Sequence, residues 1–191
     1  MIVEKLVVGF LKTNCYIVYS PDNRGCAVID PGGESRRICA DLEKRGLTPN
    51  VILLTHAHAD HVRGLWHLYE KTGACVYVHA GELDARINIG PFRFVPPPKT
   101  QYVCEGSTIC AGSLRFSVLE CPGHTPGSVV YRCEDTLFTG DTLLHMGSGR
   151  VDYPCSSRED MIASLTRLRD LSGDYHICPG HGEETTLDDE R

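Results

Sequence analysis

The sequence predicts an α/β fold on three observations. In the first half, apolar runs at 26–29, 51–54 and 75–78 alternate with segments whose apolar residues recur at helical spacing, 34–45 and 65–73. In the second half the pattern changes to short alternating runs separated by turn residues, as in antiparallel strands. Several of these runs end in a glycine-flanked polar residue, the place where the sheets of α/β proteins carry their sites. With 191 residues, 41% hydrophobic and 23% charged, the chain is long enough to bury a substantial core, and residues 1–191 are read as one domain.

Residues 2–19 alternate apolar and polar side chains and predict antiparallel strands. Residues 21–25 are turn formers, 26–29 form a buried strand, and Asp30-Pro31-Gly32-Gly33 ends it because proline stops the ladder. Ile38 and Leu42 mark a helix over 34–45, stopped by Gly46 before the strand at Val51. Leu65, Leu68 and Tyr69 mark another helix, followed by a strand at 75–78. Between 80 and 100 the pattern weakens to a short helix near 82–86, an extended Pro96-Pro97-Pro98 and a loop that flanks the site. Strands follow at 101–105, 107–111, 114–120, 128–133 and 136–139. Ser157 caps a helix whose apolar face is Met161, Ile162, Leu165 and Leu168, and 175–178 is the last strand.

A net charge of −6 with 19 dispersed Lys and Arg argues against a nucleic-acid surface. No apolar run approaches the length that spans a bilayer. The ten cysteines are scattered without C-x-x-C pairs, and the N-terminus has no basic-then-apolar segment. The expectation is a cytoplasmic chain with reduced thiols, most of them packed as small hydrophobes, Cys26 and Cys75 among them. Its partner is expected to be a small-molecule substrate, with no nucleic acid and no membrane; the oligomeric state is left open.

The chemistry concentrates at Thr55-His56-Ala57-His58-Ala59-Asp60-His61, directly after the strand at 51–54. Imidazole is the commonest metal ligand and carboxylate suits hard divalent ions, so this stretch reads as metal-binding. His124, Asp141 and His181 stand in the same relation to later strands, each flanked by glycine, which lets the backbone turn sharply and bring a short ligand close. His67 and His79 are read as non-ligands. A catalytic zinc takes three protein ligands, so seven candidates imply two metals sharing a carboxylate, about 3.5–4 Å apart in such sites, with Asp141 as the bridge.

Thr-Asn-Cys-Tyr at 13–16, Asp30-Pro31-Gly32, His-x-His-x-Asp-His at 56–61, Pro-Gly-His-Thr-Pro-Gly at 122–127, Gly-Asp-Thr at 140–142 and Pro-Gly-His-Gly at 179–182 together resemble the metallo-β-lactamase fold superfamily, in particular its glyoxalase II-like (hydroxyacylglutathione hydrolase-like) branch. The resemblance implies a four-layer αββα sandwich. It also implies one metal on His56, His58 and His124, a second on Asp60, His61 and His181, and Asp141 between them, with Asp60 and Asp141 as the catalytic carboxylates. The cofactor expected is two divalent ions, zinc first, with iron or manganese as alternatives. The reaction implied is attack by a metal-bound hydroxide on a thioester of the S-acylglutathione type. A thiolate leaving group needs little acid assistance, because a thiol has a pKa near 8.5.

Asp30 is assigned a supporting role, accepting a hydrogen bond from the outer nitrogen of a metal-bound histidine. Gly147 to Tyr153 resembles the superfamily's Gly-Arg-x-Asp segment, and an Arg150–Asp152 pair is expected to brace the metal loops rather than touch substrate. Cys121 is read as structural, and Cys155 as a loop thiol that can be exposed. Full-length glyoxalase II proteins carry a C-terminal helical domain that supplies much of the glutathione pocket; the chain ends ten residues after His181, and that domain is expected to be absent. The alternative function is that of a persulfide dioxygenase-like enzyme with a single iron held by two His and an Asp.

Overall fold

A computed structural model describes residues 1–87 and 92–191. β1 (Ile2–Val8) and β2 (Thr13–Tyr19) form an antiparallel hairpin in register from Ile2↔Tyr19 to Val8↔Thr13. β3 (Gly25–Ile29) pairs antiparallel with β2. From there each connection crosses over, so β4 (Thr48–Leu53), β5 (Cys75–His79) and β6 (Thr100–Val103) add in parallel. The crossovers carry α1 (Ser35–Arg45), the single turn α2 (Ala59–Val62) and α3 (Leu65–Thr72). α1 stops where Gly46 adopts a left-handed conformation (φ 65°) and returns its N–H to Glu43 and Leu42 carbonyls.

The second sheet is mostly antiparallel. β7 (Thr108–Ala111), β8 (Leu114–Glu120), β9 (Val129–Cys133) and β10 (Thr136–Gly140) follow as hairpins. α4 (Arg158–Arg169) then crosses over to β11 (His176–Pro179), which lies parallel to β10. The Ser157 side chain caps α4 by accepting from the Asp160 amide.

Three apolar clusters stack through the molecule and define four layers. The first holds α1 and α3 against one face of the first sheet through Ile38, Leu42, Leu65, Leu68, Val28 and Ile52. The second lies between the sheets, where Tyr16 meets Phe138 edge-on at 5.5 Å and Phe116 closes the stack. The third packs α4 on the outer face of the second sheet through Leu168, Leu119, Val130 and Ile177. This is the αββα order that the motifs imply.

Four details differ from the expectations. A two-residue strand, β12 (Thr185–Thr186), follows β11 and pairs Ile177 with Thr185; it is too short to carry a period, and 175–178 is therefore not the last strand. On α4 the buried residues are Met161, Ser164 and Leu168, while Ile162 is exposed, because the i, i+3, i+7 stripe passes through 161, 164 and 168. Ser164 is satisfied there by donating to the Pro122 carbonyl at 2.7 Å. Cys155 is buried rather than exposed, and Cys75 is only half-buried. The loop expected between 80 and 100 starts as two 3-10 turns, Ala80–Leu83 and Ala85–Ile87, and lies in part, at 88–91, outside the described residues.

Candidate metal centre

The C-terminal ends of β4, β8, β10 and β11 open onto one region, so residues far apart in sequence converge. β4 releases His56 and His58, and extended backbone at His58 (φ −61°, ψ 147°) starts α2, whose one turn presents Asp60 and His61. His124 follows β8, Asp141 follows β10, and His181 follows β11. The ligating atoms of His56, His58 and His124 all lie within 4.8 Å of one another, and so do those of Asp60, His61 and His181. His58 Nδ1 is 2.8 Å from His124 Nε2, and His61 Nε2 is 3.3 Å from His181 Nε2. Asp141 stands between the groups: Oδ1 is 3.4 Å from His61 Nε2, and Oδ2 is 3.5 Å from His124 Nε2 and 3.7 Å from His181 Nε2. Thus all seven predicted side chains meet, and His67 and His79 lie elsewhere, His79 beside Glu120 at 3.2 Å.

Hydrogen bonds at the back of each ring set which nitrogen faces inward. His61 Nδ1 donates to Asp30 Oδ2 at 2.9 Å, which turns Nε2 toward His181 and Asp141. His124 Nδ1 donates to the Arg150 carbonyl at 2.8 Å. The Thr55 hydroxyl donates to Asp30 Oδ2 at 2.6 Å, so its oxygen accepts from His56 Nδ1 at 3.1 Å. Asp30 takes a further bond from the Thr55 amide at 2.8 Å, and these contacts hold it in a left-handed conformation (φ 49°) that a non-glycine residue rarely adopts. Inward-facing His56 Nε2 and Asp141 Oδ1 are buried without a hydrogen-bond partner. Buried lone pairs left unmatched in this way suit a cation.

Close backbone approach is built in. A Cβ at Gly180 would overlap Asp141 Oδ1 and stand 2.7 Å from His61 Cε1, so glycine is required beside His181. The His181 loop is fastened to the first hairpin: the Asn14 side chain donates to the carbonyls of Pro179 (2.9 Å) and Gly182 (3.0 Å), and the Tyr16 hydroxyl to Pro179 (2.8 Å).

The two halves differ electrostatically. Burial, then the neighbouring imidazoles His124 and His61, push His58 down to about 4; burial and its histidine neighbours likewise depress His56 strongly, and burial depresses His124. His61 is held well above its ordinary value, because Asp141 and Asp30 outweigh burial. Burial pushes Asp141 up, but the charge of His61 outweighs it and leaves the carboxyl at about 2. Burial also opposes ionisation of Asp60, but the hydrogen bond from His181 and the charge of His61 hold it well below the carboxylate range. One half therefore offers three neutral imidazoles, and the other sets imidazoles whose protonated form is favoured against ionised carboxylates.

Glu82 was missed by sequence reasoning. It is 1% exposed and accepts from the Ala57 amide (2.5 Å), the Thr125 hydroxyl (2.6 Å) and the Gly127 amide (3.0 Å), tying the loop of His56 and His58 to that of His124. Burial pushes its carboxyl up to about 7. It comes from a 3-10 turn with no periodicity, so no sequence signal marks it. Tyr153 was also unassigned; its ring meets those of His58 and His124 edge-on at 5.3 and 6.0 Å.

Arg150 and Asp152 do form a forked pair (2.9 and 2.7 Å), but both are exposed and the guanidinium stacks over Tyr153 at 4.8 Å. The expected bracing by this side-chain pair is corrected: support reaches His124 through the Arg150 backbone carbonyl, while the pair itself lies on the rim. The cleft floored by His58, Asp60, His124, Asp141 and His181 has a volume of about 770 Å³, walled by Phe10, Leu11, Arg63, Leu144, Arg150 and Tyr153.

Two facing mixed sheets flanked by helices, with His and Asp clusters able to hold metal at one set of strand ends, define a metal-binding α/β sandwich. The chain belongs to the metallo-beta-lactamase superfamily, whose pattern matches residues 8–181, and it stands among that superfamily's metal-dependent hydrolases. It is 32% identical to the hydroxyacylglutathione hydrolase GloC of Haemophilus influenzae, over 100% of this chain and 95% of that one. Among solved structures it is similar to TTHA1623 in a di-iron-bound form (34% identity, TM-score 0.85, 98% of this chain and 96% of that one). It is also similar to ETHE1 from Myxococcus xanthus (30% identity, TM-score 0.86, 100% of this chain and 81% of that one). Among the described residues no helix is long and apolar enough to cross a membrane.

Proposed function

We propose that this chain is a dinuclear metallohydrolase that cleaves thioesters. The observation that carries the reading is Asp141, whose two oxygens face the two His and Asp clusters at the floor of an open cleft. His56, His58 and His124 would hold one ion, Asp60, His61 and His181 the other, with Asp141 shared. Two divalent ions, zinc first and iron or manganese otherwise, supply a water acidified toward neutral pH and a Lewis acid for the substrate carbonyl.

The chain's own residues do the rest. Asp30 and Thr55 fix the tautomers of His61 and His56. Glu82 holds two of the ligand loops in one arrangement. Phe10, Leu11 and Tyr153 give apolar walls against which a substrate excludes water. Water adds its oxygen to the carbonyl carbon, the C–S bond breaks, and the thiolate leaves without needing a general acid. The products are a carboxylic acid and a thiol.

The likeness to the H. influenzae hydroxyacylglutathione hydrolase supports a thioester substrate, and the likeness to a di-iron-bound structure supports two ions. The ten unpaired thiols suit a reducing cytoplasm, and the cleft's size suits a small molecule. The dispersed basic residues suit no nucleic-acid partner. Residues 1–191 act in this reading as one domain.

A second reading, a mononuclear iron persulfide dioxygenase-like enzyme, draws on the likeness to ETHE1 from M. xanthus. Metal quantification with a substrate panel separates the two. Two equivalents per chain with turnover of S-lactoylglutathione or another small thioester supports the hydrolase. One iron per chain with oxygen uptake on glutathione persulfide replaces it with the second reading.

A further inference from the structure

We infer that Arg63 is a carboxylate-recognition residue, and that the substrate is a thioester carrying a carboxylate near its scissile bond. The inference rests on the thioester-hydrolase reading and deepens it. Arg63 keeps helical backbone (φ −61°, ψ −28°) at the end of α2, and its N–H returns to the Ala59 carbonyl at 2.9 Å. It therefore shares a helix face with Ala59 and Asp60, four and three residues earlier, and all three line the cleft.

The arm starts from a fixed base. The Gly64 amide donates to the Pro31 carbonyl at 2.8 Å, and a Cβ on Gly64 would stand only 2.7 Å from that oxygen. A Cβ on Gly32 would overlap the Asp60 carbonyl, so α2 is pressed onto the loop after β3 with no room to shift.

The other charges facing the cleft are already engaged. Asp60 and Asp141 point into the two ligand clusters. Glu34 accepts from Arg37 at 2.9 Å and from the Gly9 amide at 3.1 Å. Arg150 is paired with Asp152. Among the described residues no carboxylate pairs with Arg63, which is exposed, lines the cleft and carries five N–H donors. A guanidinium binds carboxylate as a fork, which adds direction as well as attraction. Residues three apart on a helix have Cβ atoms about 5–6 Å apart, so a carboxylate gripped by Arg63 would share one end of the cleft with a carbonyl bound near Asp60. The exposed tip of Phe10 (97%) and Leu11 covers the apolar stretch between.

The test compares the metal-loaded wild type with R63Q, R63K and R63E on two thioesters that differ only in a carboxylate or a carboxamide on the thiol arm. The wild type is expected to prefer the carboxylate by about tenfold in kcat/KM, mostly through KM and less so at high salt. R63Q should erase the preference, R63E reverse it and R63K keep part of it. An unchanged ratio in R63Q, or equal losses on both substrates, overturns the inference. The matched thioethers, which cannot be hydrolysed, are titrated in parallel by calorimetry. If neither thioester turns over but the carboxylate thioether binds wild type about tenfold tighter than R63Q, the thioester reading fails and the anion site stands. Equal thioether affinities would remove the anion site whatever the turnover.

Discussion

The Asp30 carboxylate accepts the Nδ1 proton of His61 at 2.9 Å while its own backbone is held left-handed at φ 49°. Asparagine tolerates that backbone better than most residues, so Asp30→Asn isolates the side chain's role. Asn offers one accepting oxygen where Asp30 serves three donors. The expected result is a 10–100-fold loss of metal affinity, read by competition with a coloured chelator. Unchanged affinity would mean that His61 is oriented by something else.

Asp141→Ala removes the carboxylate between the two clusters. The protein is expected to retain its fold by circular dichroism, lose at least one metal equivalent by elemental analysis and lose thioester turnover. Two retained equivalents with normal turnover would move the bridge to another residue.

Glu82→Gln places an amide donor in a pocket that supplies three donors. At least one buried N–H or O–H then loses its acceptor, at a cost of about 1–3 kcal/mol. Thermal unfolding should shift down accordingly, and activity should fall with it, because the loops of His58 and His124 lose their common anchor. A variant as stable as wild type would show that water replaces the lost bond.

Glu190 gives a pH-dependent prediction away from the metal ligands. Burial pushes its carboxyl up, but hydrogen bonds from His145 (3.0 Å), Thr185 (2.9 Å) and the Met146 amide (2.8 Å) outweigh this and hold it below its ordinary value. A carboxyl lowered in the folded state stabilises fully above its unfolded value, about 4.3, and that contribution is lost as pH falls through the folded value. In metal-free protein, Glu190→Gln should lower the melting temperature at pH 7 and flatten its fall on acidification below about pH 4.3. Parallel melting curves for both proteins at every pH would contradict this.

The site was legible in outline because its candidate ligands sit at strand ends, where a run of apolar residues stops at a histidine or aspartate next to glycine. His124, Asp141 and His181 each carry that local mark. Glu82 carries none, since its role depends on the amides of Ala57 and Gly127 meeting it across two loops. The layers were legible as alternating strand and helix signals, but which residues of α4 face inward was not. Ser164 lies on the buried stripe because its hydroxyl finds the Pro122 carbonyl, a partner invisible in a helical period. Arg150 shows the opposite case: the expected ion pair forms, and the contact that matters to His124 is made by the backbone.

The fastening of Asn14 and Tyr16 to the Pro179–Gly182 turn makes the seating of His181 a long-range event in folding. It requires residues 179–182 to reach back to the first hairpin, a contact about 165 residues long in sequence, which is slow to form by topology alone. The pocket of His181 is thus closed by the contacts of longest sequence separation in the site, and its geometry reports that both sheets have docked.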